Sequence, residues 1–368
     1  MMELTIARSE LSRAMKIASR VVDKASKVPL AACVLLRSDG ATTSIAAVGL
    51  DVTMSAAIAC TSKGNGSVAI NAAELGRIAA DAPGTELVIR VGDDGWTEIR
   101  SAKARYKLGH LNGRDYPAIN ETTAKWTSVD AATLVEALRR GASCPCTEGD
   151  RGWMMGALFD TDTAAGTLIC ASTDGKRLAF HRAGMTLPRV RKSLPARWAE
   201  MARTIAAGSE KVELSIETKV AGRIYLRAAG IVLSSPWLVA DPDSAASLER
   251  FVSARRDIVI TANRERFVEA VKRVAPLADE NHGIAITTRD SAITLATRDK
   301  NGREIDDELD CEVRGEIAIG INARYLSECL ALMTGDTVEL RMSDPLDPVE
   351  ARDSADTSFT GIVMPMRL

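Results

Sequence analysis

No run of about twenty apolar residues occurs in the chain, which argues against a helical membrane span. The opening MMELTIARSE mixes acid and base and lacks an apolar core, so it does not read as a secretory signal, and the expected location is cytoplasmic. Seven cysteines (33, 60, 144, 146, 170, 311 and 329) are an odd number without framework spacing, which fits reduced thiols. There is no GxGxxG, Walker A, HExxH or GxSxG motif. His110, His181 and His282 lie far apart and show no ligand spacing. Cys144 and Cys146 form the one close thiol pair. A metal or redox role for them would need partners that the sequence does not mark, so they read as a local turn or buried thiols. No metal, cofactor or catalytic residue is therefore expected, and the chain does not read as an enzyme. A net positive charge is lacking too: the formal net charge is −2, which by itself argues against a nucleic-acid binder.

What is present is a plan written three times. The stretches AINAAELGRIAADAPGTELVIRV (69–91), LPARWAEMARTIAAGSEKVELSI (194–216) and GINARYLSECLALMTGDTVELRM (320–342) each read as a short helix, a glycine and a strand. Gly84, Gly208 and Gly335 each fall fourteen residues after an apolar residue, Ile70, Leu194 and Ile321. Asn71 and Asn322 are expected to cap their helices, and the glycines to take positive φ at the helix exits. A second unit recurs as well. Leu11, Ala14, Met15, Ala18 and Val22 share a helical face, as do Leu134, Ala137 and Leu138, and Phe267, Ala270, Val271 and Val274. Both units repeat at intervals of roughly 125 residues, far beyond a solenoid period. The stretches between them read as strands broken by Ser-Asp-Gly and Thr-Asp-Gly turns. The expectation is an α+β chain of three similar domains, 1–122, 125–249 and 255–368, each with two helices packed on antiparallel sheets. The junctions fall near Glu121–Lys125 and Leu248–Arg256.

The charge is unevenly spread. Arg13, Lys16, Arg20 and Lys24 form one stripe on the first helix, and Lys27 follows. Arg139 and Arg140 lie on the second. Arg189, Arg191, Lys192, Arg197 and Arg203 surround the fourth, and Arg264, Arg266, Lys272 and Arg273 lie on the fifth. These windows hold sixteen bases against five acids, so acids concentrate elsewhere, as in DDELDCE and SDPLDPVEARDSAD. Two readings stand: solvated helix faces, or a polyanion-facing surface within an acidic body.

Four further stretches carry a resemblance. TDGKRLAF, the tail VMPMRL, SAKARYKLGHLNGRDYP and KVPLAACVLL, in a triplicated chain, resemble the bacterial DNA polymerase III beta subunit, or sliding clamp, family. The resemblance covers essentially the whole chain. It implies the DNA-clamp fold and a head-to-tail homodimer closed into a ring. Twelve helices would line a hole around duplex DNA, which is encircled without sequence preference. The implied role is a processivity factor with no catalytic activity. The implied partners are the DNA polymerase III alpha subunit, the clamp loader and other proteins carrying clamp-binding motifs.

Carried over to this chain, the partner-peptide pocket comprises Arg151, Met154, Thr173, Gly175, Lys176, Arg177, Leu178, Pro242, Leu346, Pro348, Val363, Met364, Pro365, Met366 and Arg367. Adaptable methionines suit a groove that takes several peptides. The DNA-facing set comprises Arg13, Lys16, Arg20, Lys24, Lys27, Arg139, Arg140, Trp153, Arg191 and Lys192. The dimer contact brings Tyr106 and Leu108 to Pro276 and Leu277 of the other chain. There are departures. The family commonly has His where this chain has Lys176. A basic residue expected in DPDSAASLE falls at Ala246, Ala25 stands where an Arg is expected, and Gly152 and Trp153 replace a Tyr pair. The divergent strip keeps a second reading open, a clamp-derived peptide-capturing protein or an accessory phage, plasmid or resistance clamp outside main replication.

Overall fold

The computed structural model describes residues 2–147, 152–219, 221–238 and 244–367. Among them are seven α-helices: α1 (Arg8–Val21), α2 (Ala72–Asp81), α3 (Ala131–Gly141), α4 (Ala196–Ala206), α5 (Ser244–Val252), α6 (Arg264–Val274) and α7 (Ala323–Leu330). Six match the expected pairs. α5 is the addition, in a stretch read from sequence as a link. Its Leu248 and Val252 sit one turn apart and pack together on a sheet face, which supplies the burial so short a helix needs.

The helices form where the apolar spacing places them. α1 buries Leu11, Ala14, Met15, Ile17, Ala18 and Val21 and leaves Lys16 and Arg20 exposed. The side chain of Asn71 accepts hydrogen bonds from the N–H groups of Ala73 and Glu74. Asn263 does the same for Arg266, and Asn322 for Tyr325. Each cap satisfies helix-end donors at a gain of about 1 kcal/mol.

The repeated glycines need a correction. Gly208 takes positive φ, at 80°, but Gly84 and Gly335 do not. They are glycines because something lies too close. A Cβ on Gly84 would stand 2.6 Å from Ser101 Oγ, and one on Gly335 would stand 2.2 Å from Asp353 Oδ1. Those same side chains accept the glycine N–H groups, at 3.0 Å for Ser101 Oγ and 2.6 Å for Asp353 Oδ2.

The chain divides into two compact units. One comprises Met1–Ala132 with Glu200–Trp237, the other Thr133–Ala199 with Leu238–Leu368. The first unit holds a thirteen-stranded antiparallel sheet running from Trp126–Asp130 at one end to Cys60–Lys63 at the other. Strand Ile231–Pro236 pairs there with Thr53–Ala57, so stretches 1–122 and 125–249 share one sheet. The second unit holds a nine-stranded and a five-stranded sheet. Strand Arg177–Gly184 pairs with Phe359–Val363, so stretches 125–249 and 255–368 share the larger one.

The two faces of that nine-stranded sheet differ. Strand alternation puts Cys170, Ser172, Ala179, Gly361 and Ala351 on one face. This face packs into the core that holds α6 and α7. Cys329 of α7 approaches so closely that a Cβ on Gly361 would collide with its sulfur. The opposite face carries Leu158, Ile169, Ala171, Leu178, Phe180 and Ile362, covered by Leu248 and Val252 of α5 and by Trp153.

Candidate partner-binding and nucleic-acid surfaces

The apolar end of the chain is held by two sheets. Strand Phe359–Val363 lies between Arg177–Gly184 and Val349–Asp353. Two residues later Pro365–Met366 pairs with Ala318–Asn322 of the five-stranded sheet. Met364 stands at the crossing, 39% exposed, and its N–H donates to the Lys176 carbonyl at 2.8 Å.

The hairpin that meets this tail is built by its own side chains. Thr173 Oγ1 donates to the Arg177 carbonyl and accepts from Gly175 N–H, and Asp174 Oδ1 accepts from the N–H groups of Lys176 and Arg177. Gly175 takes φ 87°, a conformation suited to glycine. Pairing then aligns Thr173, Leu178, Ile362 and Glu350 in one row across four strands. Two residues further along each strand lie Lys176, Met364 and Pro348. By alternation Met364 falls on the same face as Leu178 and Ile362. Leu346, 70% exposed, lies just beyond. A recess of about 440 Å³ adjoins Pro348, lined by Ser247, Arg250, Phe251, Ala254, Arg255, Arg256 and Asp347. Here the tail, the hairpin and the strand after Leu346 do converge at one end of a sheet.

Two expected wall residues point the other way. Val363 is buried in the helix-side core. Arg177 also turns to that side. Its guanidinium stacks on Tyr325 at 4.4 Å, bonds Asp174 at 3.0 Å and pairs with Glu328 of α7. Both residues alternate with Leu178 and Ile362, so they support the site from beneath. Met154 is half-buried and its carbonyl accepts from Cys146 N–H. Arg151, Pro242 and the side chain of Ala246 lie outside the described residues.

The cations expected to face DNA are of two kinds. Lys16, Lys24 and Lys27 are exposed, with no acid partner among the described residues. The others are engaged. Arg13 pairs with Glu10 at 2.9 Å and donates to the Ala229 carbonyl, and Arg20 pairs with Glu200 at 2.5 Å. Arg139 is bonded to Glu136 and to the Leu332 carbonyl, and Arg191 to Asp160. Lys192 is half-buried, and burial pulls its ammonium below the usual lysine range.

Arg140 and Trp153 are corrections. Arg140 is 2% exposed and paired with Asp356 and Glu136, so it is a structural cation. Trp153 packs on the α5-covered face with Leu178 and Ile362, because an indole gains more there than in water.

Burial favours the neutral form of several thiols and of one histidine. Burial pushes Cys144 up to about 11 and Cys170 and Cys329 up to about 12. Burial, with Arg140 nearby, pulls His181 down to about 4. Among the described residues no three His, Cys, Asp or Glu side chains are grouped to hold a metal, and no helix is long and apolar enough to cross a membrane.

The residues expected at the subunit contact lie beside one strand edge in each unit. In the first, strand Ala104–Asn112 pairs along 104–109 with Trp96–Ser101 and only along 110–112 with Gly66–Asn71. Its 104–109 segment therefore has one edge without a strand partner among the described residues. Tyr106 and Leu108 lie there, half-buried, opposite buried Ile99 and Thr97. In the second unit Glu304–Asp310 is one edge strand of the smaller sheet. α6 packs against it, and Pro276 and Leu277 follow that helix in a short 3-10 turn.

Comparison with known proteins identifies the family. Residues 2–120 match the DNA polymerase III beta subunit N-terminal domain, and residues 250–367 match its C-terminal domain. The chain belongs to the DNA polymerase III beta subunit family. The function of this family is that of the sliding clamp of DNA polymerase III. The beta sliding clamps of Caulobacter vibrioides and Vibrio cholerae are 26% and 25% identical over 381 residues each, and all of both chains is covered. The fold agrees with solved family structures. A beta subunit from Eubacterium rectale superposes with TM-score 0.92 at 19% identity, covering 100% of both chains. The Pseudomonas aeruginosa clamp bound to griselimycin gives 0.90 at 21%, also over both whole chains. The Caulobacter crescentus clamp, with polyethylene glycol at its beta-motif tethering region, gives 0.90 at 24% over both whole chains.

Sequence reading of this beta subunit missed several residues at the tail site. Ile362, Leu248, Tyr325 and Glu328 all take part. Ile362 was within reach, two residues from Met364 and so on its face of the strand. Tyr325 and Glu328 carry no local signal, since only tertiary pairing brings α7 beneath the hairpin.

Proposed function

We propose that this beta subunit has three clamp domains, 1–122, 125–249 and 255–368, and closes head to tail with a second copy into a ring around duplex DNA. The ring would tether the DNA polymerase III alpha subunit, the clamp loader and other proteins with clamp-binding motifs through the tail site. It carries no chemistry of its own and works in the cytoplasm.

The observation that carries this reading is the pair of open, oppositely charged sheet edges. Arg105 and Lys107 lie on one, with Arg105 paired to Glu98, and Glu304, Asp306, Asp307, Glu308 and Asp310 lie on the other, with Glu304 paired to Arg298 and Asp307 to Arg273. An unpaired strand edge is a template for another strand, and opposite charge favours this pairing over edge-to-edge pairing of like kind. Because the two edges differ, the contact is heterologous, and such a contact gives a closed ring only if its rotation closes. Tyr106 and Leu108 would meet Pro276 and Leu277 of the second copy.

Lys16, Lys24 and Lys27 are the best-placed phosphate contacts, because they have no ion pair to give up. Direct binding to duplex DNA tests this. Lys16→Ala with Lys24→Ala should flatten the salt dependence of log K by about 2, near 0.9 for each lost phosphate contact, with no sequence preference. Arg13→Ala with Arg20→Ala should change it less. Equal slopes for the lysine variant and the parent would mean that this helix face does not meet DNA.

A further inference from the structure

We propose that the tail site selects partner peptides that carry a carboxylate beside their apolar anchor, with Lys176 as the residue that reads it. This rests on the tail site being where partner peptides bind.

The argument concerns which cations at the site are free. Arg177, next in sequence, is saturated: it holds Asp174 and Glu328 and stacks on Tyr325. Arg324 of α7 is engaged with the same Glu328 at 3.1 Å. Lys176 differs. It is exposed and has no acid partner among the described residues, and its carbonyl is fixed by Met364 N–H. Continuing the strand pairing puts it in the row of Met364 and Pro348, two residues beyond Leu178 and Ile362. Arg367, three residues beyond Met364, is likewise exposed with no acid partner among the described residues. Lys176 is therefore the free cation tied directly to the exposed Met364.

On the far side of the row, Asp347 lines a recess with Arg250, Arg255 and Arg256. Two of these arginines are already paired, Arg255 with Asp257 and Arg256 with Glu350. On the hairpin side Lys176 is the cation set in the row of Met364 itself. An apolar residue against Met364, at the rim of the buried face that Leu178 and Ile362 form, places its neighbours at the edge of the groove, where a carboxylate meets an unpaired ammonium. A lysine reads charge there rather than shape, since its ammonium is a point charge on a flexible stem.

The test uses the full-length chain and two synthetic peptides that share one apolar anchor and differ only in Asp or Asn beside it. Calorimetric titration at low salt should show the Asp peptide binding roughly fivefold tighter, as suits a single pair at the rim of a groove. The preference should shrink as salt rises. In Lys176→Gln the two peptides should bind alike, with thermal melts showing that the variant is folded. Equal affinity for both peptides in the parent would overturn the inference while leaving the tail site standing. A preference that survives in Lys176→Gln would move the reading of charge to another residue and overturn the assignment. Failure of both peptides to bind the parent would remove the tail site itself, and the inference with it.

Discussion

Removing Met364 to Leu368 should cost this clamp chain most of its affinity for an apolar partner peptide and little of its fold. The structure separates the two effects. Val363 and Ile362 remain, so the nine-stranded sheet keeps its strand between Arg177–Gly184 and Val349–Asp353. What is lost is a two-residue pairing to Ala318–Asn322 and the Met364 N–H bond to Lys176. Met364 is the exposed methionine on the face of Leu178 and Ile362, and Met366 is half-buried. Burying an apolar side chain is worth roughly 1.5–3 kcal/mol. Loss of these methionines should therefore weaken the peptide by on the order of a hundredfold. Calorimetric titration of a polymerase-derived peptide, run beside thermal melts, reads both effects. A truncated chain that melts lower yet binds the peptide as the parent does would make the tail a structural cap only.

The second large effect concerns closure. Leu108→Asp together with Leu277→Asp should turn the proposed dimer into monomers. Leu108 is half-buried on the open edge of Ala104–Asn112, and Leu277 follows α6 beside the edge Glu304–Asp310. In the ring each aspartate would be covered without a partner, at a cost on the order of 3 kcal/mol or more. In the monomer each position is only half-buried, so the aspartates can reach water and the cost to folding should be smaller. Sedimentation velocity distinguishes the outcomes, and a double variant that sediments as the parent dimer would remove these residues from the contact.

The fold was legible in the sequence where periodicity speaks. The α1 face, the Asn71 and Asn322 caps and the Thr-Asp-Gly hairpin could all be read from spacing, because each depends on residues a few positions apart. The glycine after each helix was legible as a position but not as a reason. Positive φ explains Gly208, whereas Gly84 and Gly335 answer to Ser101 and Asp353, contacts local sequence does not carry. α5 was hidden because its helix is stabilised by the sheet face on which Leu248 and Val252 rest.

The site residues follow the same division. Leu178 and Met364 share a face by alternation once the strands are known. Arg177 and Val363 were expected beside them, but an odd step along a strand turns a side chain to the other face. Among the basic residues, sequence could count charge but not its pairing. Arg140 belongs to a helical run of bases, yet it is buried against Asp356, more than two hundred residues away in the chain. The exposed, unpaired lysines emerge only when such pairs are removed from the count.

Loading onto DNA tests the central claim most directly. The chain should be loaded by its clamp loader and ATP onto a nicked circular duplex and then passed through gel filtration at high salt. Phosphate contacts alone weaken steeply as salt rises, whereas a closed ring is held by topology. Retention on the circle at high salt, lost when one restriction cut linearises the DNA, is the predicted result. Release from the intact circle at the same rate as from the linear molecule would contradict the account.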